Sequence, residues 1–308
     1  MIYNNILETI GHTPIIRLNR IVPEDCAEIL VKFEGLNAGG SIKTRTALRM
    51  IEMAECNNLL DADSIIVEPT SGNQGIGLAL VGAIKGYKVK IIMPDSVSIE
   101  RRKLITHYGA ELILVHDEGD IGACIRKCIK MAQDMMRNDK HVYLPQQFDN
   151  EENLNAHLYE TGREILEDID YPIHGFCSGI GTGGTISGIG MALKEKYPEM
   201  TIWALEPENA AILSGKKVTS HLQMGIGDGL IPPILDQNIY DDIFIVNDEQ
   251  AIETARLLSR LEGINCGISS GTNVYGAIQL GKKLGKGKSV VTILPDTGER
   301  YVSTPLYE

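Results

Sequence analysis

The sequence predicts an α/β protein of two domains, each an open, mostly parallel twisted sheet flanked by helices. Three observations carry this. Short β-branched apolar runs alternate with longer segments of helical period, the pattern of parallel strands buried on both faces and joined by crossover helices. The 308 residues exceed the roughly 100–200 of one ordinary domain. A polar stretch, Pro145 to Asn155, separates two such series and marks the crossing between domains.

The elements follow in chain order. Ser64 to Glu68 reads as a strand, Gln74 to Lys85 as a helix, and Lys88 to Met93 as the next strand, stopped by Pro94. Ser98 to Tyr108 is a helix, Glu111 to Val115 a strand, Ile121 to Arg137 a long helix, and His141 to Leu144 a last short strand. In the second series, strands are expected near 174–178, 201–205, 243–246 and 290–294, and helices near 184–197, 248–262 and 272–284. No short-period repeat is visible, which argues against a solenoid.

Composition narrows the function. The 29 Lys and Arg face 41 Asp and Glu, a net charge of -12, and with no basic stripe such a surface repels a nucleic-acid backbone. The N-terminus has neither a basic region nor an apolar core of a signal peptide, and no run reaches the ~18 apolar residues of a membrane span. A cytoplasmic protein without nucleic-acid or membrane partners is expected. Six cysteines are too sparse for a disulfide framework. Cys124 and Cys128 are one helical turn apart, but no paired Cys or His follows at ligand spacing, so buried thiols are expected and a metal is not.

In open α/β sheets ligands sit beyond the carboxyl ends of strands, and four segments there carry chemistry. In Glu34 to Arg45, small residues open a helix that begins with Lys43. Such a lysine is commonly a solvated surface residue; partial burial would lower its pKa and make it a Schiff-base nucleophile. In Glu68 to Gly75, the side chains of Thr70, Ser71, Asn73 and Gln74, with free backbone N–H groups, form a nest for a carboxylate or phosphate. Ser71 or Asn73 acting only as a helix cap is the plainer reading. In Ser178 to Thr185, glycines let backbone approach an anion, Thr182 and Thr185 add hydroxyls, and a helix end points at the guest. This loop also satisfies G-x-G-x-x-G through Gly179, Gly181 and Gly184, with Glu206 about 20 residues on, as an NAD-dependent oxidoreductase would require. In Cys266 to Thr272, between an expected strand and a helix, a serine hydroxyl caps the helix or meets a heterocyclic nitrogen.

Taken in this order, the loops resemble those of fold type II pyridoxal-phosphate enzymes, the tryptophan synthase β-subunit-like fold, in the cysteine synthase and cystathionine β-synthase family. The likeness covers nearly the whole chain, including Gly11 to Pro14, Ser98 to Lys103, Gln146 to Phe148, Gly225 to Gly227 and Leu294 to Tyr301. It implies a smaller mobile domain, 40–145, carrying the substrate-carboxylate loop, and a larger one, 1–39 plus 146–308, carrying the phosphate loop. Pyridoxal 5'-phosphate is the implied cofactor, with Lys43 as Schiff-base lysine and Gly181, Thr182, Gly183, Gly184 and Thr185 as phosphate cradle. Asn73 would meet the ring hydroxyl and Ser269 the pyridine nitrogen. Thr70, Ser71, Gly72, Asn73, Gln74, Gln147 and Gly227 would contact the substrate. A serine partner makes the ring a weaker electron sink than an aspartate would, favouring β-elimination over transamination. The implied chemistry is β-replacement or β-elimination on a three-carbon L-amino acid through an aminoacrylate, with Lys43 as the base. A homodimer is implied too, docking of a serine acetyltransferase tail stays open, and no haem-binding or regulatory appendage is expected to exert control.

The sequence departs from that pattern at one informative place. Gly225-Ile226-Gly227-Asp228-Gly229 has an acid where the family usually has alanine. Asp228 either faces solvent in a glycine-rich turn or enters the cleft, where it would repel hydrosulfide yet protonate a departing thiolate or deprotonate water or a thiol. The second case points to L-cysteine as substrate, with hydrogen sulfide released and water (giving L-serine) or a thiol added. The first points to an O-acetylserine sulfhydrylase that makes L-cysteine. Ala38, Gln74 and Asp296 are smaller departures. A catalytically silent binding protein is the other alternative. Colour of the purified protein, and its shift on adding amino acid, separate it from the enzymes.

Overall fold

A computed structural model describes residues 2–119 and 121–308. Two sheets organise it. The smaller is wholly parallel, with order β5-β4-β3-β6 from β3 (Ile65–Pro69), β4 (Lys88–Pro94), β5 (Glu111–Val115) and β6 (Val142–Tyr143). The larger has order β1-β2-β10-β7-β8-β9, from β1 (Ile15–Arg17), β2 (Glu28–Phe33), β7 (Gly175–Gly179), β8 (Thr201–Pro207), β9 (Asp242–Val246) and β10 (Ser289–Leu294). Only the β1–β2 pair is antiparallel.

Alternation along the strands builds a core on each face. In β2, Ile29 and Val31 enter one core and Leu30 the other; in β8, Trp203 and Leu205 oppose Ile202 and Ala204. The smaller sheet repeats the arrangement, with Ile66, Ile91 and Met93 on one side and Val67 and Ile92 on the other. Successive strand side chains point to opposite faces, so strands apolar at every position are the ones that need cover on both.

The covering helices are α1 (Lys43–Cys56), α2 (Asn73–Lys85), α3 (Ile99–His107) and α4 (Ile121–Asn138), then α5 (Glu151–Ala156), α6 (Gly162–Asp168), α7 (Gly184–Lys196), α8 (Asp248–Leu257) and α9 (Ile268–Leu284). Three features differ from the expected elements. The polar stretch from Pro145, read only as the crossing between domains, leads into helix: α5, a π turn (His157–Thr161) and α6 run on continuously from an Asn150 cap that accepts from Glu152 N. β1 and β2 lie where no strand is expected. Helix α9 starts at Ile268, so Ser269 stands in its first turn, and only an isolated bridge from Cys266 to Thr297 precedes it.

Cys124 and Cys128 are buried in the core beneath α4, and no cluster of metal-ligating side chains occurs among the described residues. No described helix is long and apolar enough to cross a membrane.

Candidate active site

The carboxyl ends of β3 and β7, the first turns of α1, α2, α7 and α9, and the 224–228 loop meet around one cavity. Lys43, the first residue of α1, lines it. Ile42 N donates to Pro295 O (2.8 Å), and Thr44 Oγ1 to Ala38 O (2.6 Å). Arg45, fully buried, pairs through Nε with Glu34 (2.7 Å) and through Nη1 with Glu164 (2.5 Å), which pins the first turn of the helix. Gly77 of α2 packs so closely that an added Cβ would lie 2.9 Å from Lys43 O. The Lys43 amine itself has no hydrogen bond or ion pair among the described residues. Burial pushes it down to about 8, against the pull of Asp228.

Above it stands the β3–α2 loop. Thr70 is buried and its Oγ1 accepts from Gly72 N (3.2 Å). Thr46 Oγ1 donates to Gln74 Oε1 (2.7 Å), leaving Gln74 Nε2 buried without a partner among the described residues. An orphaned donor costs about 1–3 kcal/mol, so the amide is set for an acceptor that enters the cavity. Gln147 is fixed on the opposite wall: its N donates to Glu68 Oε1 (2.8 Å), its Nε2 to Pro69 O (3.1 Å), and its O accepts from Asn153 Nδ2 (2.7 Å).

The β7–α7 loop is built for an anion. Gly183 has φ +83°, and a Cβ on Gly181 would lie 2.5 Å from Gly225 O. The first N–H groups of α7 have no intrahelical partners. Thr182 Oγ1 accepts from Asn153 (3.0 Å), and Thr185 Oγ1 lies 3.3 Å from His157 Nε2. His157 is held far below its ordinary pKa, first by burial and then by Lys43 and Arg45, so its ring is neutral. Ser269, also buried, lines the far side.

Asp228 lines the same cavity, between Gly227 (φ +68°) and Gly229 (φ +76°), whose left-handed backbones turn its side chain inward. Ser71 Oγ is 3.5 Å from its Oδ1. Burial raises its pKa above the usual carboxylate range, opposed by His221, Lys43, the Ser71 hydroxyl and Arg101.

A buried primary amine whose pKa is pushed down to about 8, a glycine-lined loop at a helix N-terminus and an unpaired amide donor together fit a phosphate-bearing aldehyde and an amino-acid carboxylate. The family model for pyridoxal-phosphate dependent enzymes matches residues 6–296. A cysteine synthase of Staphylococcus aureus is 46% identical over 306 residues, 99% of this chain and 97% of that protein. The chain belongs to the cysteine synthase family of pyridoxal-phosphate enzymes. Its cofactor is pyridoxal 5'-phosphate, and the NAD reading of the glycine fingerprint gives way.

Solved structures agree with this assignment. O-ureido-L-serine synthase superposes with a TM-score of 0.94 at 40% identity, over 100% of this chain and 96% of that one. A hydrogen sulfide-producing enzyme from Fusobacterium nucleatum gives 0.92 at 40%, over 97% and 100%.

In this family member not every expected residue reaches the cavity. Gly72 lies behind the wall against Arg101, Gly184 faces Asn153, and Gly227 borders a neighbouring space. Asn73 lines the cavity, but its Nδ2 already donates to Asp296 Oδ2 (2.6 Å) and its Oδ1 accepts from Arg300 Nη1 (2.7 Å). Sequence reasoning missed Asn273, which accepts from Gly179 N (2.7 Å) and donates to Ile293 O (2.8 Å), holding the β7–α7 loop to its sheet. An asparagine inside a helix, where such residues are disfavoured, was the available signal.

Proposed function

We propose that this enzyme performs β-replacement on L-cysteine, releasing hydrogen sulfide, with Asp228 as the acid and base on the sulfur side. The observation that carries the reading is the Asp228 carboxyl in the Lys43 cavity. Bound pyridoxal phosphate supplies an aldehyde for the substrate amine and a ring that withdraws electrons from the α-carbon.

Lys43 would hold the cofactor's aldehyde carbon, and the Gly181–Thr185 loop its phosphate. Thr70, Ser71, Gln74 and Gln147 bind the substrate carboxylate, the unpaired Gln74 amide taking one oxygen. Once free, Lys43 Nζ takes the α-proton. Asp228, holding a proton more readily than an exposed aspartate does, gives it to the departing sulfur. The resulting carboxylate then accepts a proton from water or from a thiol entering at the β-carbon. The balance is L-cysteine plus water giving L-serine and hydrogen sulfide, or L-cysteine plus a thiol giving a thioether and hydrogen sulfide.

An ionised Asp228 disfavours entry of the hydrosulfide anion, since two unit charges about 4 Å apart repel by about 4 kcal/mol at an effective dielectric near 20. Substrate binding at Thr70–Gln74 also draws the smaller domain, 40–145, toward the larger and excludes water. Support for this lies in the loop's place at the carboxyl edge of the smaller sheet, facing a phosphate loop that hangs from the larger.

The test is Asp228→Asn. Sulfide release from L-cysteine should fall about 10²-fold or more, the range of general acid–base catalysis, while the cofactor's absorbance still shifts when L-cysteine is mixed in. Release at the parent rate, or a parent enzyme that makes L-cysteine from O-acetyl-L-serine and sulfide much faster than it consumes it, would favour a plain cysteine synthase.

A further inference from the structure

Behind the β7–α7 loop stands a side chain that no step described so far uses. Asn153 of α5 is fully buried, and both hydrogens of its amide are committed: Nδ2 donates to Gln147 O (2.7 Å) and to Thr182 Oγ1 (3.0 Å). Gln147 O can only accept, which fixes the orientation of the amide. Thr182 Oγ1 receives a second donor, Gly184 N, at 3.5 Å. A hydroxyl has two acceptor lone pairs and one proton, so with donors on both lone pairs Thr182 has only its proton left to give. That proton meets no acceptor among the described residues, and Thr182 lines the Lys43 cavity.

The packing around the amide exists to let it come this near. A Cβ on Gly184 would lie 2.5 Å from Asn153 Oδ1, and one on Gly188, a turn further along α7, would run into Leu154 O. Helix α5 can therefore approach only where α7 carries no side chain. Asn153 Oδ1 is itself buried without a partner among the described residues. A leucine of nearly the same size would fill this space without burying an unpaired oxygen, so what asparagine adds is its pair of donors.

We propose that Asn153 is a positioning residue for the cofactor's phosphate: by donating to Thr182 Oγ1 it turns the Thr182 hydroxyl proton toward the anion, and so sets how strongly the site prefers a phosphorylated aldehyde to a bare one. The assignment is independent of which amino acid the enzyme consumes. A hydroxyl given to a phosphate makes a charge-assisted bond, stronger than one between neutral groups. Without Asn153 the hydroxyl is a free rotor, and the alignment of that bond is lost. A purely structural Asn153 would instead weaken the binding of both aldehydes together.

The experiment titrates the full chain with pyridoxal 5'-phosphate and with pyridoxal, which has the aldehyde but no phosphate, following absorbance. In Asn153→Leu the preference for the phosphorylated form, the ratio of the two dissociation constants, should fall about tenfold while pyridoxal binding stays within about threefold of the parent. Thr182→Val removes the hydroxyl and should lower the preference to a similar degree, and Asn153→Leu added to it should lower it by no more than about twofold again, because the two act through one bond. Asn153 is buried, so Asn153→Asp provides a variant of unchanged shape that turns both donor positions into acceptors. Its preference should fall at least as far as in Asn153→Leu, and by less when combined with Thr182→Val, whereas a charge acting directly on the phosphate would act equally with and without the hydroxyl. Equal weakening of both aldehydes, a parent-like preference in either Asn153 variant, or a fall undiminished in the Thr182→Val background would each overturn the assignment.

Discussion

Lys43 and Glu68 show how burial, outweighing the neighbours that oppose it, moves two side chains toward neutrality from opposite directions. The lysine amine is pushed down to about 8 and the glutamate carboxyl up to about 8. For Lys43 the neutral amine is the reactive form, so its fraction rises about tenfold per pH unit below 8 and levels off above it. Uptake of pyridoxal phosphate by the apoprotein, followed by absorbance, should trace that curve, and a flat profile from pH 6 to 9 would show that the amine is not the limiting group. Glu68 works through stability. Its two oxygens accept from Gln146 N and Gln147 N (2.9 and 2.8 Å), yet burial dominates and raises it. The folded chain therefore keeps a proton that the unfolded chain loses near pH 4.5, and this contribution is full below that point and gone as pH climbs through about 8. The urea midpoint should fall across that window in the parent and fall less in Glu68→Gln; parallel curves would remove Glu68 from the account. Sequence alone exposed both residue types but not their burial, and it left Asn73 free for a ring hydroxyl when Asp296 and Arg300 already hold its amide.

At the scale of elements, what was legible depended on which residues fill the buried face. Apolar parallel strands such as β4 and β10 announce themselves because every position is greasy. β2 did not, since Lys32 interrupts its apolar run; the lysine is buried all the same, paired with Glu164 (2.9 Å) and Asp168 (3.3 Å). The α5–α6 segment was missed for a related reason. Asn153, His157, Thr161 and Glu164 recur at helical spacing and are all buried, so the inward stripe is polar and escapes a search for apolar period. The glycine loops were legible because their constraint is steric. A methyl on Gly181 would sit 2.5 Å from Gly225 O, backbone that cannot swing aside as a side chain does. Gly181→Ala should therefore part the β7–α7 loop from the 224–228 loop and, where that loop holds the cofactor, raise the dissociation constant for pyridoxal phosphate at least tenfold in a fluorescence titration. Parent-like affinity would mean that the two loops separate at little cost.

Across the whole molecule, the two sheets are tied at one edge by Asp296, which no local pattern foretold because Asn73 and, through Tyr301, Arg101 reach it from distant stretches of chain. Its Oδ2 accepts from Asn73 Nδ2 at the start of α2 (2.6 Å) and from the Tyr301 hydroxyl (2.7 Å), which in turn accepts from Arg101 of α3 (2.7 Å). Ser98 Oγ donates to Arg300 O (2.9 Å) on the same edge. The C-terminal segment beyond β10 thus binds the helices of the smaller sheet. Tyr301→Phe keeps the buried ring and its 4.7 Å contact with the Arg101 guanidinium while deleting both hydroxyl bonds. Leaving a carboxylate and a guanidinium each short of a partner should cost about 1–3 kcal/mol in urea unfolding. Because the lost bonds join α3 to the tail and not the strands to one another, amide exchange should quicken in α3 and around residues 296–304 while the centre of β10 stays protected. Faster exchange spread evenly over both sheets, or none at all, would show that this edge is not a local joint and that the sheets are held together chiefly by the packing of α1 against α2 and α5.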